Sequence, residues 1–180
     1  MNLISLISII ILSFNSVTIS LDETIPEPSY EVVEDPIYCT VDADVLSIDN
    51  LIETTDVYFE GDNCAEIFID LLENENYIPI YSGTTDDGFY LSGIRGVDTS
   101  LIELDENIKE YLINNEIDFS ESVYIEGELS EFDITEYSGW VYTVNGEMPS
   151  VGMCDYIPQP GDEIQLSFSL NYGDDIGLVN

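Results

Sequence analysis

Trp140 and Tyr142 stand two apart in "SGWVYTVNG", residues 138–146, and Trp140 is the only tryptophan in the chain. Residues i and i+2 of a strand share a face, so the two rings can form one aromatic surface. Its chemistry is stacking and cation–π attraction rather than bond making. A plainer role also fits, in which Trp140 closes the edge of a small core and its indole N–H bonds a nearby carbonyl. The remaining reactive groups are three thiols, Cys39, Cys64 and Cys154. None lies in a C-x-x-C pair, so no zinc spacing is present. In an oxidising compartment one pair can bridge, and Cys154, in a loop able to reach a neighbour, is the expected member. Cys64 opens a helix, where the dipole would lower its pKa, unless it serves only as a small buried thiol.

The charge balance excludes whole classes of function. Thirty-eight Asp and Glu face 2 Lys and Arg, a formal net charge of −36. Phosphate backbones and anionic headgroups are gripped by clusters of bases that this chain cannot assemble, which rules out nucleic acids and anionic membranes as partners. With no histidine, Ser-His-Asp and Cys-His catalysis and His-based zinc sites go too. Lys109, the only lysine, lies in an amphipathic run with no phosphate-loop glycines around it. Paired carboxylates can hydrolyse glycosides, but 38 acids produce such pairs by chance, so they carry no information. The acids read as a solvated surface, with a dedicated Ca²⁺ site as the alternative. No D-x-D-x-D-G loop is present, so no calcium ligand is assigned. The expected protein is non-catalytic, with no metal and no cofactor.

The elements that hold the aromatic pair follow from periodicity. In "CTVDADVLS", residues 39–47, Val41, Ala43 and Val45 alternate with acids, the period of a half-buried strand. Asn63 and Glu66 form a capping-box pattern ahead of Ile67, Phe68, Leu71 and Leu72, which predicts the principal helix. "YIPIYS" and "GFYLSGIRGV" read as strands around the turn "GTTDDG". A second, shorter helix fits "DENIKEYLINN", with Leu104, Ile108, Tyr111 and Leu112 on one face. "SVYIEG", residues 122–127, and "WVYTV" read as further strands, and "VNGE" as a two-residue hairpin. In "EIQLSFSL" the apolar residues Ile164, Leu166, Phe168 and Leu170 alternate with Glu163, Gln165, Ser167 and Ser169, predicting a strand with one dry and one wet face. Together they predict an α+β fold: a β-grasp-like mixed sheet packed on one principal helix, with a second short helix.

This domain is expected over residues 37–180, behind an acidic, Pro-containing linker at 21–36. Residues 3–12, "LISLISIIIL", have the length of a signal-peptide apolar region and are too short to span a bilayer. Small residues near Thr18 and Ser20 suit cleavage, giving a signal peptide over residues 1–20. The missing Lys or Arg ahead of the apolar run keeps a buried strand or a truncated gene start as alternatives. The expected location is secreted or cell-surface, with no transmembrane segment in the mature chain.

Residues 127–177 carry a combination of motifs in order: Ser138-Gly139-Trp140, Val144-Asn145-Gly146, Asp155-Tyr156 and Gly161-Asp162. With the earlier "GDNCAEIFIDLLE" and "GFYLSGIRGV", this resembles, over roughly residues 41–177, a secreted bacterial domain family similar to the C-terminal β domain of transcobalamin and intrinsic factor. The resemblance implies a β-grasp-type binding module that transforms nothing. It implies cobalamin or another corrinoid as a ligand, with Trp140 at a ligand-facing position and a segment similar to the carriers' in Tyr156-Ile157-Pro158; the expected ligand-binding residues are Trp140, Tyr142 on the same strand face, and Tyr156. Gly139 stands where those carriers have a tyrosine, and the chain has no room for their large helical domain. A second class of function stays open: a bacterial cell-surface module that docks an extracellular protein or glycan.

Overall fold

The first strand of the domain buries nearly every inward side chain, and its neighbours in the sheet come from both ends of the chain. The structure is a computed structural model that describes residues 35–120 and 122–178. The signal-peptide reading of residues 1–20, and all but the end of the linker reading of 21–36, lie outside the described residues. Strand β1 (Ile37–Ala43) pairs antiparallel with β2 (Ile48–Val57) and parallel with β7 (Glu163–Ser169), and β7 pairs antiparallel with β6 (Gly139–Val144). The sheet order is therefore β2-β1-β7-β6. A first hairpin, a helix, and a last strand returning parallel to the first, between it and the strand before, is the β-grasp arrangement, and the class is α+β. Helix α1 (Cys64–Asn74) starts where the sequence requires. The Asn63 side chain accepts from the Glu66 N–H and the Glu66 carboxylate from the Asn63 N–H, both at 3.1 Å, so two otherwise orphaned donors are satisfied. Its Ile67, Phe68 and Leu72 are buried in one core with Val41, Ile164, Leu166 and Phe168. Leu71 is only half-buried.

Between α1 and β6 lies a second, three-stranded antiparallel sheet, β3-β4-β5, built from β3 (Ile78–Thr84), β4 (Asp87–Arg95) and β5 (Glu128–Ser130). Helix α2 (Glu106–Asn114), capped by Asp105, connects β4 to β5 and buries Leu112. Phe89, Leu91 and Ile94 of β4 enter the same core as the first sheet. No helix among the described residues is long and apolar enough to cross a membrane.

Four sequence-based expectations are corrected. The strand expected over 39–47 ends at Ala43, and Val45 is buried from a short 3₁₀ turn at Asp44–Leu46. Asp42 is buried rather than wet, because its carboxylate accepts from Ser167 Oγ at 2.7 Å and Gln165 Nε2 at 2.8 Å. Residues 122–127 are not a strand: Val123, Tyr124 and Ile125 are exposed, and the sheet instead takes Glu128–Ser130. Apolar content alone favoured 122–127, but only the next residues reach the register of β4. In β7 the wet face is wet at Glu163 and Gln165 only. Ser167 and Ser169 are buried, with the Ser169 hydroxyl donating to Asp175 at 2.5 Å and accepting from the Gly173 N–H at 2.6 Å. Small hydroxyls tolerate such burial because each finds a partner.

Candidate functional site

The register of β6 on β7 decides what Trp140 and Tyr142 face. Trp140 lies opposite Phe168, Tyr142 opposite Leu166 and Val144 opposite Ile164, so both rings sit on the core side of the sheet, as their i, i+2 spacing requires. Trp140 is half-buried and meets Phe168 edge-on, with ring centroids 5.3 Å apart and planes at 74°. Its indole N–H donates to the Leu129 carbonyl at 3.1 Å, tying β6 to β5. The Tyr142 hydroxyl donates to the Val151 carbonyl at 2.5 Å. Burial pushes its pKa well above the ordinary tyrosine value. The phenol stays neutral at any physiological pH.

A cavity of about 150 Å³ opens beside the pair. Its walls are Trp140, Tyr142 and Leu166 from the first sheet, Phe89, Tyr90 and Leu91 from β4, and Gly152 and Met153 from the loop after β6. The strand-edge and cavity roles of Trp140 thus coexist. Because the indole N–H and the Tyr142 hydroxyl both serve internal carbonyls, those two side chains present ring surface rather than free donors. Sequence reasoning missed the wall that β4 and Met153 supply. Phe89 and Leu91 do alternate toward one face, but only the approach of the second sheet to β6 brings them here. At the rim the Tyr90 hydroxyl donates to Glu131 at 2.5 Å. That bond, with burial and the Glu131 charge, raises its pKa to about 12.

Tyr156 is not among the cavity residues. Its hydroxyl donates to Asp162 Oδ2 at 3.1 Å, and its carbonyl accepts from the Cys64 N–H at 2.9 Å, at the start of α1. Asp162 also accepts from the Gln159 N–H and from Asn145 Nδ2, both at 2.8 Å. Burial pushes the Asp162 carboxyl up, but the bonds from Gln159, Asn145 and Tyr156 outweigh it and hold it below the ordinary value of 3.8. Asn145, with φ of +53°, and Gly146, at +81°, form the expected tight turn. Asn145 also accepts from the Glu163 N–H at 3.0 Å, so the turn locks onto the start of β7. This network holds the loop that follows the aromatic strand.

All three cysteines are free thiols, against the expectation of a bridge. Burial raises Cys39 to about 12, and burial with the neighbouring Cys39 and Asp162 raises Cys64 to about 12. Dehydrating a thiolate costs more than the helix dipole at Cys64 returns. Among the described residues no cluster of three or more His, Cys, Asp or Glu is placed to hold a metal ion.

With this geometry in hand, comparison with known proteins is informative for part of the chain. Residues 103–169 match a domain of unknown function, DUF4430. The match runs from α2 to the end of β7 and includes Trp140, Tyr142 and Tyr156. It is narrower than the resemblance over residues 41–177. No curated protein matches the chain.

Proposed function

We propose that the protein is a non-catalytic, exported binding module whose aromatic cavity takes a flat, uncharged or cationic group of a soluble ligand. The observation that carries this reading is the cavity itself: Trp140 and Tyr142 border it, with their polar atoms bonded elsewhere and their rings half-buried. Stacking or cation–π contact there is worth roughly 0.5–2 kcal/mol per ring. Cobalamin or another corrinoid is the ligand that the resemblance to the carriers implies. A volume of about 150 Å³ falls short of the roughly 300–1,000 Å³ of pockets that enclose a ligand. The cavity would therefore receive one group of a corrinoid, with a second domain or protein covering the rest. Tyr156 contributes by anchoring the loop through Asp162.

Titration of the full chain with cobalamin and cobinamide, followed by tryptophan fluorescence, reports on Trp140 alone, since the chain has no other tryptophan. Saturable quenching that Tyr142→Leu weakens supports the reading. A flat signal to millimolar ligand removes it. The second reading is then preferred: a cell-surface domain that docks a protein or glycan, favoured by the exposed apolar run Val123-Tyr124-Ile125.

A further inference from the structure

The two outer strands of the main sheet differ in what lies beside them. At β6 the preceding segment crowds the edge: Leu129 accepts the Trp140 indole N–H, and the Phe132 N–H donates to the Ser138 carbonyl at 3.0 Å. At β2, the other edge, no strand pairs on the outer side among the described residues. At one end the Tyr77 hydroxyl covers the Leu51 carbonyl at 3.2 Å. Beyond that point the edge borders a groove of about 430 Å³.

The lining shows how the groove meets the strand. Thr55, Asp56 and Val57, the last three residues of β2, all take part although successive strand side chains point to opposite faces, so the groove sees the strand edge-on, and Tyr58 and Phe59 extend the wall past the strand's end. The opposite wall is one stripe of α1, Ile67, Asp70, Leu71 and Asn74, at helical spacing. A slot between a sheet edge and a helix stripe is the geometry in which an extended peptide adds as a further strand. Its floor is apolar at Val57, Phe59, Ile67 and Leu71, and its rim carries Asp56, Asp62, Asp70 and Glu75. Neither base of the chain lines it: Arg95 pairs with Glu128 and Lys109 with Glu106.

We propose that this groove docks an extended segment of another protein, rich in Lys or Arg alternating with apolar residues, as a strand added beside β2. Main-chain pairing would supply affinity, the apolar floor would take alternate side chains, and the acidic rim would select bases. The site is independent of the aromatic cavity, at the far edge of the sheet from β6.

A (Val-Lys)₄ peptide is the probe, long enough to run beside residues 52–59 at roughly 3.3 Å per residue. Added to the full chain, it is expected to slow amide hydrogen exchange at residues 53–58. A (Val-Glu)₄ peptide should fail for charge, and a (Pro-Lys)₄ peptide should fail because proline has no N–H for the ladder. Asp70→Lys with Glu75→Lys should weaken (Val-Lys)₄ binding at least about tenfold, whereas Glu103→Lys with Glu110→Lys, elsewhere on the surface, should change it less than about threefold. The milder Asp70→Asn with Glu75→Gln should fall between, should the reversal unfold the chain. Equal binding of (Pro-Lys)₄, equal loss in both reversed variants, or protection outside residues 53–58 would overturn the proposal in favour of diffuse charge attraction.

Discussion

Replacing Asp162 tests whether the loop beside the aromatic strand is held by a single carboxylate. The residue is 9 % exposed and accepts three bonds, from Asn145, Gln159 and Tyr156, at 2.8 to 3.1 Å. A hydrogen bond to a charged acceptor is worth roughly 1.5–3 kcal/mol. The three share one carboxylate, and two of the donors belong to the exposed residues Asn145 and Gln159, which regain water when the acceptor is lost. The expected loss for Asp162→Ala is therefore about 3 kcal/mol, below the simple sum. Asp162→Asn keeps the shape but turns one acceptor into a donor, and about 1.5 kcal/mol is expected. Removing one negative charge from a chain at −36 relieves some repulsion by itself. Asp155→Asn, exposed in the same loop, isolates that effect and should stay within about 0.5 kcal/mol of the parent. Urea unfolding followed by Trp140 fluorescence measures all three variants. The folded-state pKa of Asp162 is depressed, so its stabilisation is present above 3.8 and is lost as pH falls through the lower folded value. The gap between parent and Asp162→Ala should be constant from pH 5 to 8, and should narrow only below about pH 4. If Asp162→Ala unfolds within about 0.5 kcal/mol of Asp155→Asn, the loop is held by something else.

Further outcomes follow from the same structure. Burial, then repulsion from Asp42, Asp49 and Glu53, raises the Asp44 pKa, and burial chiefly raises that of Asp133. An acid whose folded pKa is raised holds its proton more tightly when folded, so Tm should climb as pH is lowered from 7 toward about 4.5; a Tm that falls over that range contradicts this. In native protein at pH 8 a thiol reagent should titrate Cys154 quickly, and Cys39 and Cys64 only on unfolding. Three fast thiols would refute their burial. Gly83 has φ of +77°, and a Cβ there would overlap the Gly88 carbonyl, whereas Gly61, at +86°, has nothing within 4 Å. Gly83→Ala should therefore cost more than about 2 kcal/mol and Gly61→Ala about 1 kcal/mol, read from urea midpoints.

Local signals in the chain were sufficient for several features. Asn63 and Glu66 specify the start of α1 because a capping box closes within four residues, and Asn145-Gly146 specifies a tight turn because few other pairs accept positive φ twice. The i, i+2 spacing of Trp140 and Tyr142 is enough to put both rings on one face of β6. The charge of −36 needs no folding to exclude phosphate-bearing partners. Whatever depends on residues distant in sequence was decided by packing. Asp42 is buried because Ser167 and Gln165, some 125 residues later, happen to face it; alternation alone had placed it in water. The exposed run at 122–127 is as apolar as a strand, yet register with β4 admits only Glu128–Ser130. The far wall of the cavity comes from β4 and Met153, and the groove beside β2 exists because α1 crosses next to an edge that no strand among the described residues pairs with. Caps and turns are closed by bonds between neighbours, so the sequence carries them outright. Cavities, edges and buried acids are sums over elements whose mutual placement no local pattern encodes.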